Sequence, residues 1–273
     1  MARSIRPPPL QALARWVPHL GRLSRAERWK RAGKRPRVWA HRGDSAHETE
    51  NTLAAFDRAR EAGADGIELD VQLDRDGVAV VFHDDTLDRL VGRPGKLSEL
   101  SSHERAQLRV NGHAIPTLAE VLGGLGDLEC NVELKSGRLA SKQTRSLVAT
   151  TAEVIRNSGR ADQIIVSSFD PFALVQLHHH LPDMALAYLF HDEQPLPLRR
   201  GWVGNWLGAS VLHPQHSLCT EKTMRAWRTA GFPINAWTVD NDAELQRLAE
   251  LGVDGVFAND PGHALAVLGT VSL

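Results

Sequence analysis

From residue 37 onward, short runs of β-branched and aliphatic residues alternate with segments of helical periodicity. That alternation restricts the fold to the α/β class. The runs lie at 38–40, 66–73, 129–134, 163–167, 185–190, 210–212, 233–238 and 255–258. Helix starts are marked by Asp170-Pro171 and Asp260-Pro261, an N-cap acid before proline at the first helical position, and by Thr117 with Glu120, a capping box. Eight β/α alternations suit a TIM (β/α)8 barrel, for which about 250 residues is typical. A doubly wound sheet is the second choice, because no Gly-x-Gly-x-x-Gly follows the first run. The polar stretch 84–115 is too long for an ordinary βα loop and is expected to form a small insertion after the second strand, near the barrel mouth.

Charge divides the chain into two parts. Of 32 basic and 33 acidic residues, residues 1–37 hold 11 basic and only Glu27, which leaves 21 basic and 32 acidic in the remainder. We therefore expect a basic extension at 1–36 and an acidic barrel body at 37–273. The extension carries Leu10, Trp16, Leu20 and Trp29, a composition suited to peripheral contact with an anionic membrane or to docking on the acidic body. Pro7, Pro18 and Gly21 interrupt any long helix there. An acidic body argues against nucleic acid as a partner. No run approaches the roughly 20 apolar residues of a membrane span, and the first residues lack a secretory leader's apolar core. A cytoplasmic location is the expectation. Cys130 and Cys219 have no ligand spacing and read as reduced core residues.

In a barrel the active site forms at the C-terminal ends of the strands. The first run ends in His41-Arg42-Gly43. The second contains Glu68-Leu69-Asp70, whose period of two aims both carboxylates to one face. An apolar partner run, 78–82, delivers His83. The third ends in Glu133-Leu134-Lys135, and Trp237 and Asn259 close the last two. Two histidines, three carboxylates, an arginine and a lysine thus converge on one rim.

These residues, together with Glu50-Asn51-Thr52, His83-Asp84, Pro116-Thr117-Leu118, Asn131-Val132-Glu133, Ser167-Ser168-Phe169, Trp237-Thr238-Val239 and Gly252-Val253-Asp254-Gly255, resemble the glycerophosphodiester phosphodiesterase family in this order. The resemblance spans 38 to about 265. Thr49 stands where the family often has proline, and Ala258-Asn259-Asp260-Pro261 where Thr-Asp-x-Pro is common. The resemblance implies metal-dependent hydrolysis of a small glycerophosphodiester to an alcohol and sn-glycerol 3-phosphate. Glu68, Asp70 and Glu133 would hold one divalent cation, Mg²⁺ or Ca²⁺, as an all-oxygen donor set suits. His41 and His83 would be general acid and base, in an order left open. Arg42 and Lys135 would neutralise the phosphate, Trp237 and Asn259 would meet the substrate, and Glu50 would pair with Arg42. Whether water or the adjacent glycerol hydroxyl attacks is open, as are head-group preference and oligomeric state.

Two other readings compete. One is phospholipase D-like hydrolysis of lysophospholipids at a membrane, favoured by the basic extension. The other is a non-catalytic barrel that holds a phosphate ligand, whose signature would be a missing histidine or carboxylate. Blander readings cover the remaining motifs. Asp74-Arg75-Asp76-Gly77 is expected to be a hairpin turn, and His178-His179-His180 a solvated helix end.

Overall fold

The computed structural model describes residues 22–137 and 141–270. A short helix α1 (Arg22–Glu27) precedes the first strand β1 (Arg37–His41) and helix α2 (Leu53–Glu61). The chain continues through β2 (Gly66–Leu73) and β3 (Ala79–Val81), then α3 (Asp88–Val91), α4 (Ser102–Gln107), β4 (Arg109–Val110), β5 (His113–Ala114) and α5 (Leu118–Gly123). After these come β6 (Glu129–Leu134), α6 (Lys142–Ser158), β7 (Ile164–Ser168), α7 (Pro171–His180), β8 (Ala185–Phe190), α8 (Leu196–Arg199) and α9 (Trp202–Leu207). The last elements are β9 (Val211–Pro214), α10 (Glu221–Thr229), β10 (Asn235–Ala236), α11 (Asp242–Leu251), β11 (Gly255–Ala258) and α12 (Pro261–Gly269). The main sheet runs β10-β11-β1-β2-β6-β7-β8-β9, with β3 antiparallel on β2.

Parallel bridges Leu212 to Ile234 and Gln215 to Trp237 join the two ends of that sheet into a barrel. At this seam the expected strand 233–238 shrinks to Asn235–Ala236. Pro214 and Pro233 face it and have no N–H to donate, so only their carbonyls pair, with Trp237 N (3.2 Å) and Leu212 N (3.0 Å). The α/β barrel is thus present with one loosely stitched junction. The predicted helix starts form as expected. Asp170 accepts from Phe172 N, Asp260 accepts from His263 N, and Thr117 with Glu120 makes a reciprocal capping box.

Outward-facing Ile67, Leu69 and Val71 pack against the helices, while the alternate residues of each strand point into the barrel. Inside, Trp39, Ile165, Ala187, Val211 and Phe257 form a dry plug. Gly66 and Gly255 make room for the Trp39 indole. A Cβ on Gly66 would lie 2.7 Å from that ring, and one on Gly255 2.8 Å from its Nε1. Residues 84–115 form the insertion, and Leu87, Leu97, Leu100, Val110 and Ile115 pack with Val80 and Phe82 in a cluster of their own. Asp74 to Gly77 is the turn between β2 and β3, with Asp74 N donating to Val78 O. One reading needs correction: His178 is not solvated. It falls one turn after buried Leu174 and shares its inward face, leaving only His179 and His180 exposed.

The described part of the basic extension meets the acidic body at the N-terminal ends of the strands. Trp29 is buried beneath Trp39, ring centroids 6.0 Å apart. Around it, Arg35 pairs with Asp65 (2.6 Å), Arg37 with Glu129 (3.1 Å), and Arg31 N donates to Asp254 Oδ1 (2.7 Å). Residues 1–21, with Leu10, Trp16 and Leu20, lie outside the described residues.

Two stability measurements follow. Trp29→Ala empties the floor of the plug and is expected to cost about 3–5 kcal/mol in denaturant unfolding; a loss below 1 kcal/mol would make the Trp29 contact dispensable. His213, fully buried beside Phe257, is pushed by burial to a pKa of about 3. An unfolded histidine takes its proton near ~6.5, so between these values the unfolded chain binds more protons and stability falls as pH falls. The slope from this one group is at most about 1.4 kcal/mol per pH unit. His213→Asn is expected to lessen the pH dependence of unfolding by that one proton between pH 6 and pH 4.5, and identical slopes in the two proteins would refute it.

Candidate active site

The site begins with a backbone contortion after β1. Arg42 and Gly43 both adopt left-handed conformations (φ 58° and 85°), and a Cβ at Gly43 would strike Ala55 backbone atoms at 2.7–2.8 Å. The turn aims Arg42 N at Glu68 Oε2 (3.0 Å). It also brings Asn51, itself at φ 58°, against Arg42 O (2.9 Å). Asn51 Nδ2 donates to Asp70 Oδ2 (2.8 Å), whereas Thr52 provides the cap of α2. Strained residues of this kind persist where their surroundings over-determine them, and they concentrate at functional sites.

The register β1-β2-β6 then lines up the acids. His41 pairs with Glu68, and Asp70 with Glu133. Glu68, Asp70 and Glu133 are all buried, with one oxygen of each within 4.8 Å of the others. Lys135 Nζ lies 2.6 Å from Glu133 Oε1 and 3.0 Å from Asp70 Oδ1, and Arg42 Nε lies 3.3 Å from Asp70 Oδ2. The titration behaviour follows this uneven sharing. Burial, then the charges of Asp70 and Glu133, push the Glu68 carboxyl well above the carboxylate range, and burial also raises Glu133. Against the same burial, Lys135 and Arg42 hold Asp70 down to about 2.

The two histidines are oriented differently. His41 Nδ1 lies 2.7 Å from Asn259 Oδ1, while Asn259 Nδ2 donates to Asp240 Oδ2 (2.6 Å) and Asn259 N to Asp240 Oδ1 (2.8 Å). A carboxylate only accepts, so Asp240 fixes which way the amide faces. Asn259 Oδ1 must then accept from His41 Nδ1–H, which leaves Nε2 with the lone pair, 3.9 Å from Glu68 Oε2. Burial, then the charge of Arg42, lower the His41 pKa. His83 instead donates from Nδ1 to the Asp84 carboxylate (2.7 Å). Its loop is held by Gln72 Nε2, which donates to the carbonyls of Phe82, His83 and Asp84 at 2.9–3.0 Å.

All ten sequence-predicted site residues gather at this end of the barrel. His41, Arg42, Glu68, His83, Glu133 and Lys135 line a cavity of about 260 Å³. Trp237 forms its apolar wall, edge-on to Phe169 (5.5 Å), with its Nε1 donating to His213 O. Asp70 lies beneath the cavity, 1% exposed. Glu50 pairs with Arg42 (3.0 Å), and Asn259 stands behind His41. Sequence reasoning missed Asn51, Gln72, Arg89 and the role of Asp240. Asn51 lay in a quoted motif that assigned it no role of its own, and the others had no local signal.

The acidic trio fits a hard cation. Glu68 Oε1 is buried and has no hydrogen-bond donor among the described residues, and all three potential ligands offer oxygen. A second cluster, Asp44, His47 and Asp260, is already satisfied internally: His47 Nδ1 lies 2.8 Å from Asp44, which also accepts from Arg58.

The family model for glycerophosphoryl diester phosphodiesterases matches residues 41–263. A glycerophosphodiester phosphodiesterase of Caldanaerobacter subterraneus is 34% identical over 239 residues, 82% of this chain and 94% of that protein. Among solved structures, an Oleispira antarctica phosphodiesterase in complex with the product sn-glycerol-3-phosphate is 28% identical with a TM-score of 0.78, covering 86% of this chain and 98% of that one. The Thermotoga maritima glycerophosphodiester phosphodiesterase is 30% identical with a TM-score of 0.70, covering 85% and 98%.

The trio predicts a metal response independent of turnover. Mg²⁺ or Ca²⁺ at 100 times its dissociation constant is expected to stabilise the protein by about 2.7 kcal/mol, read as a raised melting temperature. Glu68→Gln removes a repelling charge, so the variant without metal should be at least as stable as wild type while losing the metal-induced gain. A gain that survives the substitution would place the ion elsewhere.

Proposed function

The chain belongs to the glycerophosphodiester phosphodiesterase family, a family of hydrolases, and from that premise we propose that it hydrolyses a small glycerophosphodiester to an alcohol and sn-glycerol 3-phosphate. The observation that carries the proposal is the pair His41 and His83 facing one cavity walled by Arg42, Lys135, Glu68 and Glu133. Residues 37–273 are the catalytic unit in this reading, with 84–115 inserted.

Arg42 and Lys135 take the phosphate charge, one as a planar fork and the other as a point charge. Glu68, Asp70 and Glu133 would hold a divalent cation, which would supply further neutralisation of the phosphate charge. His41 is the general base. Its proton sits on Nδ1, held by Asn259, and its lowered pKa keeps Nε2 free near neutral pH. Nε2 takes the proton of the attacking hydroxyl as its oxygen bonds phosphorus, and His83 gives a proton to the alkoxide as the other P–O bond breaks. Asn259 acts through His41 in this scheme, and Trp237 packs against substrate carbons. Attack by water gives glycerol phosphate directly; attack by the neighbouring glycerol hydroxyl gives a cyclic phosphate, which water then opens to glycerol phosphate with the two histidines exchanging their proton roles.

The cavity of about 260 Å³ shares His41 and Arg42 with a second hollow of about 570 Å³ that Ser45, Glu50, Asp240 and Asn259 also line. No helix among the described residues is long and apolar enough to cross a membrane.

His41→Ala and His83→Ala are each expected to lower kcat about 10²- to 10⁴-fold on glycerophosphocholine, with unchanged circular dichroism. Near-wild-type turnover by both variants would sink the acid–base assignment. Turnover by wild type of lysophosphatidylcholine alone would move the reaction to a membrane surface.

A further inference from the structure

Arg89 lies in α3 of the insertion, outside every motif that pointed to the site, yet its guanidinium reaches both halves of the catalytic rim. Nε donates to Asp84 Oδ2 (2.6 Å), and Nη2 donates to Asp84 Oδ1 (3.1 Å). Nη1 donates to Glu50 Oε2 (2.8 Å), and Nη2 also to Glu50 Oε1 (2.8 Å). Each carboxylate is at the same time the orienter of a group that faces the cavity. Asp84 Oδ1 accepts from His83 Nδ1, and Glu50 Oε1 accepts from Arg42 Nη1. Among the described residues no other side chain bonds both Asp84 and Glu50.

We propose that Arg89 is a positioning residue for the phosphodiester reaction: it fixes the His83 imidazole through Asp84 and the Arg42 guanidinium through Glu50. The inference rests on the hydrolase reading given above.

Arg42 leaves the first βα turn and His83 leaves the β3 end, so no shared strand or helix sets the distance between them. The guanidinium bridges these two origins with a planar fork, using hydrogen bonds of fixed direction. Without it, two carboxylates would face one another across the rim with no cation between them. Asp84 could then turn away and release the His83 ring, and Glu50 would hold Arg42 without a brace of its own. Arg89 is half exposed, with 49% side-chain accessibility, and exposed ion pairs add little to stability. Its contribution is therefore geometric, and it should appear in turnover before it appears in unfolding.

A lysine at this position would keep the charge but not the fork. It can approach one carboxylate, or sit between the two, without reproducing four directed bonds. The comparison of alanine with lysine thus separates charge from geometry.

The test compares wild type, Arg89→Ala, Arg89→Lys and the control Arg93→Ala, an exposed residue of the same insertion. Three readouts are used: kcat and KM on the diester that wild type turns over, ¹H–¹⁵N resonances of the His83 ring without substrate, and rescue of the alanine variant by millimolar guanidinium ion. For Arg89→Ala we expect a roughly 10- to 100-fold lower kcat with KM within about threefold, a shifted or broadened His83 Nδ1–H resonance, and partial recovery with guanidinium. Arg89→Lys should fold like wild type and recover only part of kcat, and Arg93→Ala should match wild type. Wild-type kcat in Arg89→Ala, full activity in Arg89→Lys, or an unchanged His83 resonance would overturn the proposal. Failure of wild type to hydrolyse any glycerophosphodiester would instead refute the functional reading, and the His83 spectra would still decide the positioning claim.

Discussion

Three carboxylates buried side by side are the constraint around which the active end of this barrel is built. Glu68, Asp70 and Glu133 are each less than a tenth exposed, and unpaired charges in such a place would be far too costly to keep. Lys135 and Arg42 answer part of the charge: Lys135 bridges Glu133 and Asp70, and Arg42 lies against Asp70. Glu68 is left the least compensated, with Arg42 N as its hydrogen-bond donor. Left-handed conformations at Arg42 and Asn51, each costing about 1–3 kcal/mol, are tolerated because they place N–H groups against this cluster. Asn51 N closes the turn on Arg42 O, so the two departures support one another.

Rigidity at the mouth depends on density at the floor. Trp39 fills the barrel below the acids, and the missing side chains of Gly66 and Gly255 admit it. Trp29 then seals the plug from beneath, and basic residues around it meet Asp65, Glu129 and Asp254 at the strand starts. The two ends of the barrel thus carry acidic groups for different purposes. One set is met by Arg31 N, Arg35 and Arg37 at the strand starts, and the other is left partly uncompensated at the cavity. The proline-bearing junction between β9 and β10 lies across the barrel from the acids, where looser stitching leaves their register undisturbed.

The two histidines differ in what stands behind Nδ1. His41 has a neutral amide behind Nδ1, locked by Asp240, whereas His83 has a carboxylate behind its own Nδ1, held in turn by Arg89. The insertion therefore contributes more than bulk at the rim, since it presents a cation to the group that orients His83.

Much of this was legible in the chain itself. The periods of two in Glu68-Leu69-Asp70 and Glu133-Leu134-Lys135 are properties of extended backbone, so the facing of those side chains follows from local geometry. Caps at Asp170, Asp260 and Thr117 are likewise local, since their partners lie two or three residues away. The barrel class and the gathering of His41, His83 and the acidic trio on one rim were legible at this level. Contacts that span the chain were not. His178 turned inward because a helix face is chosen by what it packs on, and the strand at 233–238 shortened because a proline in a neighbouring strand withheld its partner. Asp240 reaches Asn259 across 19 residues and Arg89 reaches Glu50 across 39, separations at which no local period operates. Sequence therefore determined which groups the rim gathers, while the closed barrel decided which nitrogen of His41 is free and what holds each of these groups still. Those are properties of distances that exist only once distant segments have packed.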